Sequence, residues 1–262
     1  MAGHLPIWFL HFLYPAKEPN FVRDRPLQVL ALGLGRTGTE SLALALEELG
    51  YGDVYHGWKT AEYPGCFVQW TRFGIAKFSD HEKDPSIFTA LEFDKAIGHC
   101  GAITDLPAIA FGPELLRAYP NAKVVLNRRA DLDAWYESQK TTVDTLHRDW
   151  LTVLRSLFDN DLFWVWQGIR WGPRKLARGN FEQYGRAMYH DHYAQLEAEC
   201  RKQGREYLDW TVQDGWYVDG ELSLLLDASA DSLSTGNHYA GSWASLYRIM
   251  PFRTRTQLEG SL

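Results

Sequence analysis

Apolar positions along the chain follow two rhythms. Residues 27–32 (LQVLAL) and 123–126 (KVVL) are short, near-continuous apolar runs. Such runs, bounded by turn residues, predict strands of a parallel sheet covered on both faces. After the first run, Leu42, Leu46 and Leu49 recur at helical spacing and Gly50 ends the helix. Residues 53–56 and 101–104 predict a second and a third strand, and 207–212 a last one. Pro85 and Ser86 open a predicted helix carrying Phe88, Leu91 and Phe93. Further helices are expected at 113–119, 131–158 and 181–203. Residues 57–85 read as irregular, because Gly, Pro and charges interrupt any period. Repeated strand–helix units predict an α/β fold with a central parallel sheet flanked by helices.

Of the 262 residues, 45% are hydrophobic, enough for a large core. No Pro/Ser-rich linker divides the chain. Residues 1–26 form a hydrophobic arm, 27–227 the α/β domain and 228–262 a Ser/Gly-rich C-terminal extension. The arm's apolar stretch at 5–14 (LPIWFLHFLY) is far shorter than the ~20 residues of a transmembrane span. It also lacks the basic start and cleavage site of a signal peptide. It is expected to pack on its own domain, with a second subunit, as in a homodimer, or a membrane surface as the other partners. The formal charge of −6 excludes a basic field that would wrap nucleic acid. Cys66, Cys100 and Cys200 are scattered and odd in number, which predicts no disulfide framework and a cytoplasmic location.

The chemistry concentrates at residues 33–41 (GLGRTGTES), between the first strand and its helix. A helix start presents unpaired N–H groups and the positive end of the dipole, which suits a phosphate. Glycines let the backbone curl around the anion, Arg36 adds a planar charged fork, and Thr37, Thr39 and Ser41 supply hydroxyls. Three readings compete. The spacing Gly33, Gly35, Gly38 matches a dinucleotide fingerprint, but Asp53 precedes the second strand, which ends at His56 instead. The start also matches a nucleoside-triphosphatase loop, but Thr39 and Glu40 stand where Lys and Ser/Thr are needed.

The third reading is a resemblance. Residues 33–42 (GLGRTGTESL) resemble the 5′-phosphosulfate loop of P-loop sulfotransferases. The chain is similar, from about 27 to 216, to sulfotransferase-like proteins common in fungi and often labelled NAD-dependent epimerases. VYHG at 54–57, TDLP at 104–107, KVVL at 123–126, WYES at 135–138 and DGW at 214–216 carry the similarity in order. The resemblance implies a P-loop α/β sandwich and the donor 3′-phosphoadenosine 5′-phosphosulfate (PAPS), with sulfuryl transfer to a hydroxyl or amine of a small-molecule acceptor. It implies that Gly35, Arg36, Thr37, Gly38, Thr39 and Ser41 hold the 5′-phosphosulfate. Arg129 and Ser138 would hold the 3′-phosphate, with Arg128 the alternative to Arg129. The alternative function is a sulfotransferase fold that does not use this donor: a lyase or cyclase of specialised metabolism, or a binding protein.

Sulfuryl transfer needs a base beside the acceptor oxygen and positive charge on the transferring group. His56, at a strand end, is the candidate base. Asp105, after the third strand, orients His56, acts as base itself or caps a turn. Arg36 is the charge-stabilising candidate. Trp164, Trp166 and Trp171 are expected to wall the acceptor site, and Arg170, Arg174, Lys175 and Arg178 close by to reach the donor's 3′-phosphate, with a core-packing helix and a solvated basic end as the alternative. His190, Asp191 and His192 are two apart on a helix, so they do not share a face, and no metal site is expected.

Overall fold

The structure, a computed structural model, describes residues 5–145 and 149–212. The predicted C-terminal extension lies outside the described residues. Five strands, β1 (Val29–Ala31), β2 (Val54–Tyr55), β3 (Ala102–Ile103), β4 (Lys123–Arg128) and β5 (Leu208–Thr211), make one sheet in the order β2-β3-β1-β4-β5. Every pairing is parallel, with Val29 opposite both Ala102 and Lys123. Val29, Leu30, Ala31, Val125 and Leu126 are fully buried, as apolar runs covered on both faces should be.

Parallel strands have one consequence for the site. All five C-terminal ends lie on the same edge, so the segments that follow β1, β2, β3 and β4 meet there. Those segments hold the glycine loop, His56, Asp105 and Arg129. Around the sheet lie α1 (Ile7–Leu13), α2 (Thr39–Glu48), α3 (Cys66–Phe78), α4 (Ala90–Ile97), α5 (Gly112–Ala118), α6 (Leu132–Gln139), α7 (Trp150–Ser156), α8 (Asn160–Trp171), α9 (Pro173–Leu176) and α10 (Phe181–Gln203).

Three expectations are corrected. Residues 57–85 are not irregular: α3 runs through them and packs on α8. Ten of its thirteen residues are buried, among them Phe67, Trp70 and Phe73. A helix buried on nearly all sides has no polar face, so no period marks it. The single helix expected at 131–158 is broken. α6 gives way to a π-helical turn at Lys140–Asp144, where the Thr141 and Thr142 hydroxyls bond the carbonyls of Glu137 and Ser138. Asp149 then caps the start of α7. Pro85 and Ser86 open only a 3-10 turn, and α4 starts anew at its N-cap Thr89.

The arm is tied to the domain. Leu10 is buried, Tyr14 stacks on Phe163 at 3.7 Å between ring centroids, and the Trp164 indole N–H donates to the Tyr14 carbonyl at 2.8 Å. Among the described residues, no helix is long and apolar enough to cross a membrane.

Candidate active site

The loop after β1 is held from below by β4. Asn127, fully buried, accepts from the Gly33 N–H at 2.9 Å and donates to Thr37 Oγ1 at 2.7 Å. Thr37 in turn donates to the Leu34 carbonyl at 2.6 Å. From the side, the Trp135 indole N–H donates to the Gly35 carbonyl at 3.0 Å. The Tyr193 hydroxyl accepts from the Leu34 N–H at 3.3 Å and donates to the Asn127 carbonyl at 2.6 Å. The Thr37 hydroxyl is therefore committed to the loop's own shape.

Gly38 turns the chain into α2 at φ +87°, in the left-handed region that suits glycine. No side chain caps α2 there, so its N–H groups and dipole face the loop. Arg36, itself at φ +69°, carries its side chain to the open face. Its Nε donates to Ser138 Oγ at 3.0 Å, and Arg129 Nη1 donates to the Arg36 carbonyl at 3.4 Å. Arg36, Ser138 and Arg129 come from three segments and meet at this face. Arg128 is engaged elsewhere: it pairs with Glu197 and Asp209 and lies over the Tyr193 ring. Arg129 is the residue at the loop.

His56 and Asp105 lie at the rim beside the loop. His56 is buried, with Nε2 3.2 Å from Thr39 Oγ1 and Nδ1 3.4 Å from Asp105 Oδ2. The Trp58 N–H also points at Nδ1, at 3.4 Å, and the Gly57 N–H donates to Asp105 Oδ2 at 3.3 Å. The two Nδ1 contacts exclude one another: protonated, Nδ1 faces the carboxylate and leaves Nε2 as an acceptor for a hydroxyl proton; bare, Nδ1 accepts from Trp58 and Nε2 carries the hydrogen. Burial lowers the His56 pKa below its ordinary value, against the opposing charges of Asp105 and Glu40, and Arg36 lowers it further. The shift favours the neutral imidazole, the form that can take a proton. Asp105 sits in the left-handed region at φ +66° with its carboxylate against Gly35 and Gly57.

The profile of the sulfotransferase domain matches residues 28–218. The chain belongs to the sulfotransferase-domain family. It is also 34% identical over 199 residues to Ava biosynthesis cluster protein M from Aspergillus versicolor, across 72% of this chain and 73% of that protein. The relative's name places it in a biosynthesis cluster without stating a reaction.

Within this sulfotransferase-family fold, the tryptophans divide. Trp164 is in the core, bonded to the arm. Trp171 is buried near α3, under the Lys175 ammonium at 4.8 Å. Trp166 is half-buried under Arg170 at 5.2 Å. Gly172, next to Trp171, approaches Pro107: a Cβ there would lie 3.8 Å from Pro107 Cβ. The end of α8 thus borders the segment that carries Asp105. His192 bonds the Leu32 carbonyl through Nε2 at 2.7 Å, and no group of three or more metal-ligating side chains occurs among the described residues.

Sequence reasoning missed Asn127, Trp135 as a loop prop and Tyr193. Asn127 left one signal, a polar residue at the end of an apolar strand run. Its partner loop depends on β4 lying beside β1, which the sequence does not display.

Proposed function

We propose that the chain transfers a sulfuryl group from PAPS to a hydroxyl or amine of a small molecule. One observation carries the reading: Arg36, Ser138 and Arg129 converge on the open face of a glycine loop that leads into an uncapped helix. The residues fit the donor's chemistry, with cations and N–H groups for two anionic ends. Arg36 and the α2 N-terminus hold the 5′ end, and Arg129 and Ser138 the 3′-phosphate. Gly35, Gly38 and Thr39 shape the cradle, Ser41 stands in the first turn of α2, and Thr37 fixes the loop from within.

His56 accepts the acceptor's proton at Nε2 as its oxygen or nitrogen attacks sulfur, and Asp105 stabilises the imidazolium that forms. Arg36 and the helix dipole take up the negative charge that grows on the leaving phosphate. The Trp166–Trp171 end of α8 forms the acceptor wall.

Calorimetric titration with 3′-phosphoadenosine 5′-phosphate tests the donor. Micromolar binding is expected, weakened roughly ten- to hundredfold in Arg36→Ala by loss of charge-assisted hydrogen bonds. No binding at millimolar nucleotide removes the donor. A second reading, proton-transfer chemistry without a nucleotide, is favoured by one feature: Thr39, His56 and Asp105 already form a hydroxyl–imidazole–carboxylate chain.

A further inference from the structure

Beyond the loop, Arg170, Arg174, Lys175 and Arg178, with Gly179, line a cavity of about 340 Å³. Every charged side chain in that lining is a cation. Arg178 pairs with Asp191 at 3.5 Å, and among the described residues no carboxylate pairs with the other three. Three of the four heads lie over aromatic rings. Arg170 lies over Trp166, Lys175 over Trp171 and Arg178 over Tyr184. Burial and the neighbouring Arg174 charge both lower the Arg170 pKa. In a chain of net charge −6 this is a local field built for an anion, not a general basic surface.

Its position matters as much as its charge. Arg174 also lines a smaller adjoining cavity with Gln139, Val143 and Asp144, the carboxylate on that side. Gln139 lies against the glycine loop: a Cβ on Gly35 would be 3.6 Å from Gln139 Oε1. That oxygen is buried and takes a hydrogen bond from none of the described residues. On the other flank, Gly172, next to Pro173 of the smaller cavity's lining, approaches Pro107: a Cβ there would lie 3.8 Å from Pro107 Cβ. The smaller cavity shares Arg174 with the larger one, so the cationic cluster is linked to the glycine loop through Gln139, the neighbour of Ser138.

We propose that this cavity is an oxyanion site for the acceptor. It takes a carboxylate or phosphate of the small molecule whose hydroxyl or amine reaches His56. The assignment to the acceptor rests on reading the loop as the sulfuryl-transfer centre. The oxyanion site itself does not.

The test uses inorganic phosphate as the probe and the indole N–H signals of Trp166 and Trp171 as reporters in a proton–nitrogen correlation spectrum. Phosphate is expected to move both signals saturably, in roughly the millimolar range, in the wild type and equally in Arg36→Ala. The double variant Arg174→Gln, Arg178→Gln should weaken that response roughly tenfold. It should bind 3′-phosphoadenosine 5′-phosphate as the wild type does. Absence of a saturable shift in the wild type overturns the proposal. So does loss of the shift in Arg36→Ala, which places the phosphate in the loop alone. A comparable loss of nucleotide affinity in the double variant gives the cavity to the donor and also overturns it. If the wild type ignores the nucleotide while phosphate still moves the indoles, the sulfotransferase reading falls and the oxyanion site stands.

Discussion

Asn127→Ala should loosen the loop and lower the stability of the fold together. The side chain makes two buried hydrogen bonds, to the Gly33 N–H at 2.9 Å and to Thr37 Oγ1 at 2.7 Å. Thr37 keeps its bond to Leu34, so its hydroxyl stays partly satisfied. The Gly33 N–H does not: removing Asn127 leaves a buried donor unpaired, at a cost of about 1–3 kcal/mol, and the second bond adds about 1 kcal/mol. The sum of about 2–4 kcal/mol is a large part of the roughly 5–15 kcal/mol that holds a domain. At about 2–4 °C per kcal/mol for a chain of this size, the melting temperature should fall by roughly 5–15 °C. Denaturant unfolding measures the stability, and titration with 3′-phosphoadenosine 5′-phosphate measures the loop. Asn127→Asp is the sharper control. It keeps an acceptor for Gly33, loses the donor to Thr37 and buries a negative charge beside the proposed phosphate site, so it should lose more on both measures. If Asn127→Ala melts with the wild type and binds the nucleotide equally well, Asn127 does not hold the loop and the account of its shape fails.

Other outcomes follow from the same geometry. Burial pushes the His192 pKa down to about 4, so its contribution is fully present above the unfolded value of about 6.5 and is lost as pH falls through that window. Denaturant midpoints should drop by up to about 3 kcal/mol of stability between pH 7 and pH 4, and His192→Gln, which can still donate to Leu32, should flatten the slope. On the proposed function, His56→Gln should cut sulfuryl transfer by roughly 10²–10⁴-fold with nucleotide affinity unchanged. In the wild type the acid limb of the pH–rate profile should lie below the ordinary histidine value, because burial lowers the His56 pKa. Gly57→Ala would bring a Cβ to 2.6 Å from Asp105 Oδ2 and 3.0 Å from the Leu106 carbonyl, displacing the carboxylate from His56. Turnover should fall about a hundredfold while nucleotide affinity holds, which steady-state kinetics and calorimetry check side by side.

The sheet was legible because its strands are covered on both faces. In the run 123–126 every position after Lys123 is apolar, and a stretch that short, bounded by turn residues, fits a buried strand. Once the strands are parallel, their shared C-terminal edge follows, and His56 and Asp105 become candidates simply by standing at strand ends. What was not legible depends on packing. α3 has no period because Phe67, Trp70 and Phe73 are buried alike. The break after α6 turns on threonine hydroxyls competing for helix carbonyls, a choice that propensity does not decide. Trp164 and Trp166 are two residues apart in an aromatic segment, yet one is bonded to the arm and the other lies under a guanidinium. Only the direction in which α8 faces separates them.

Strand order also explains why three arginines so close in function differ in what they do. Arg128 ends β4 and points to β5 and α10, where Glu197 and Asp209 neutralise it, so it ties elements together. Arg129 lies one residue on, and alternation along the strand turns it toward the loop, where it bonds the Arg36 carbonyl. Arg36 lies on the loop's exposed face with a serine hydroxyl as partner. The polar groups beneath the loop, Asn127, Thr37 and Tyr193, are buried and bonded to one another or to the backbone. Those above it, Arg36, Arg129 and Ser138, reach solvent. Substitutions below the loop must therefore change stability and binding together, because the same bonds serve both. Substitutions above it change binding alone, since water replaces what is lost. The position of each side chain relative to the loop backbone, rather than its chemical type, decides which kind of defect a variant shows.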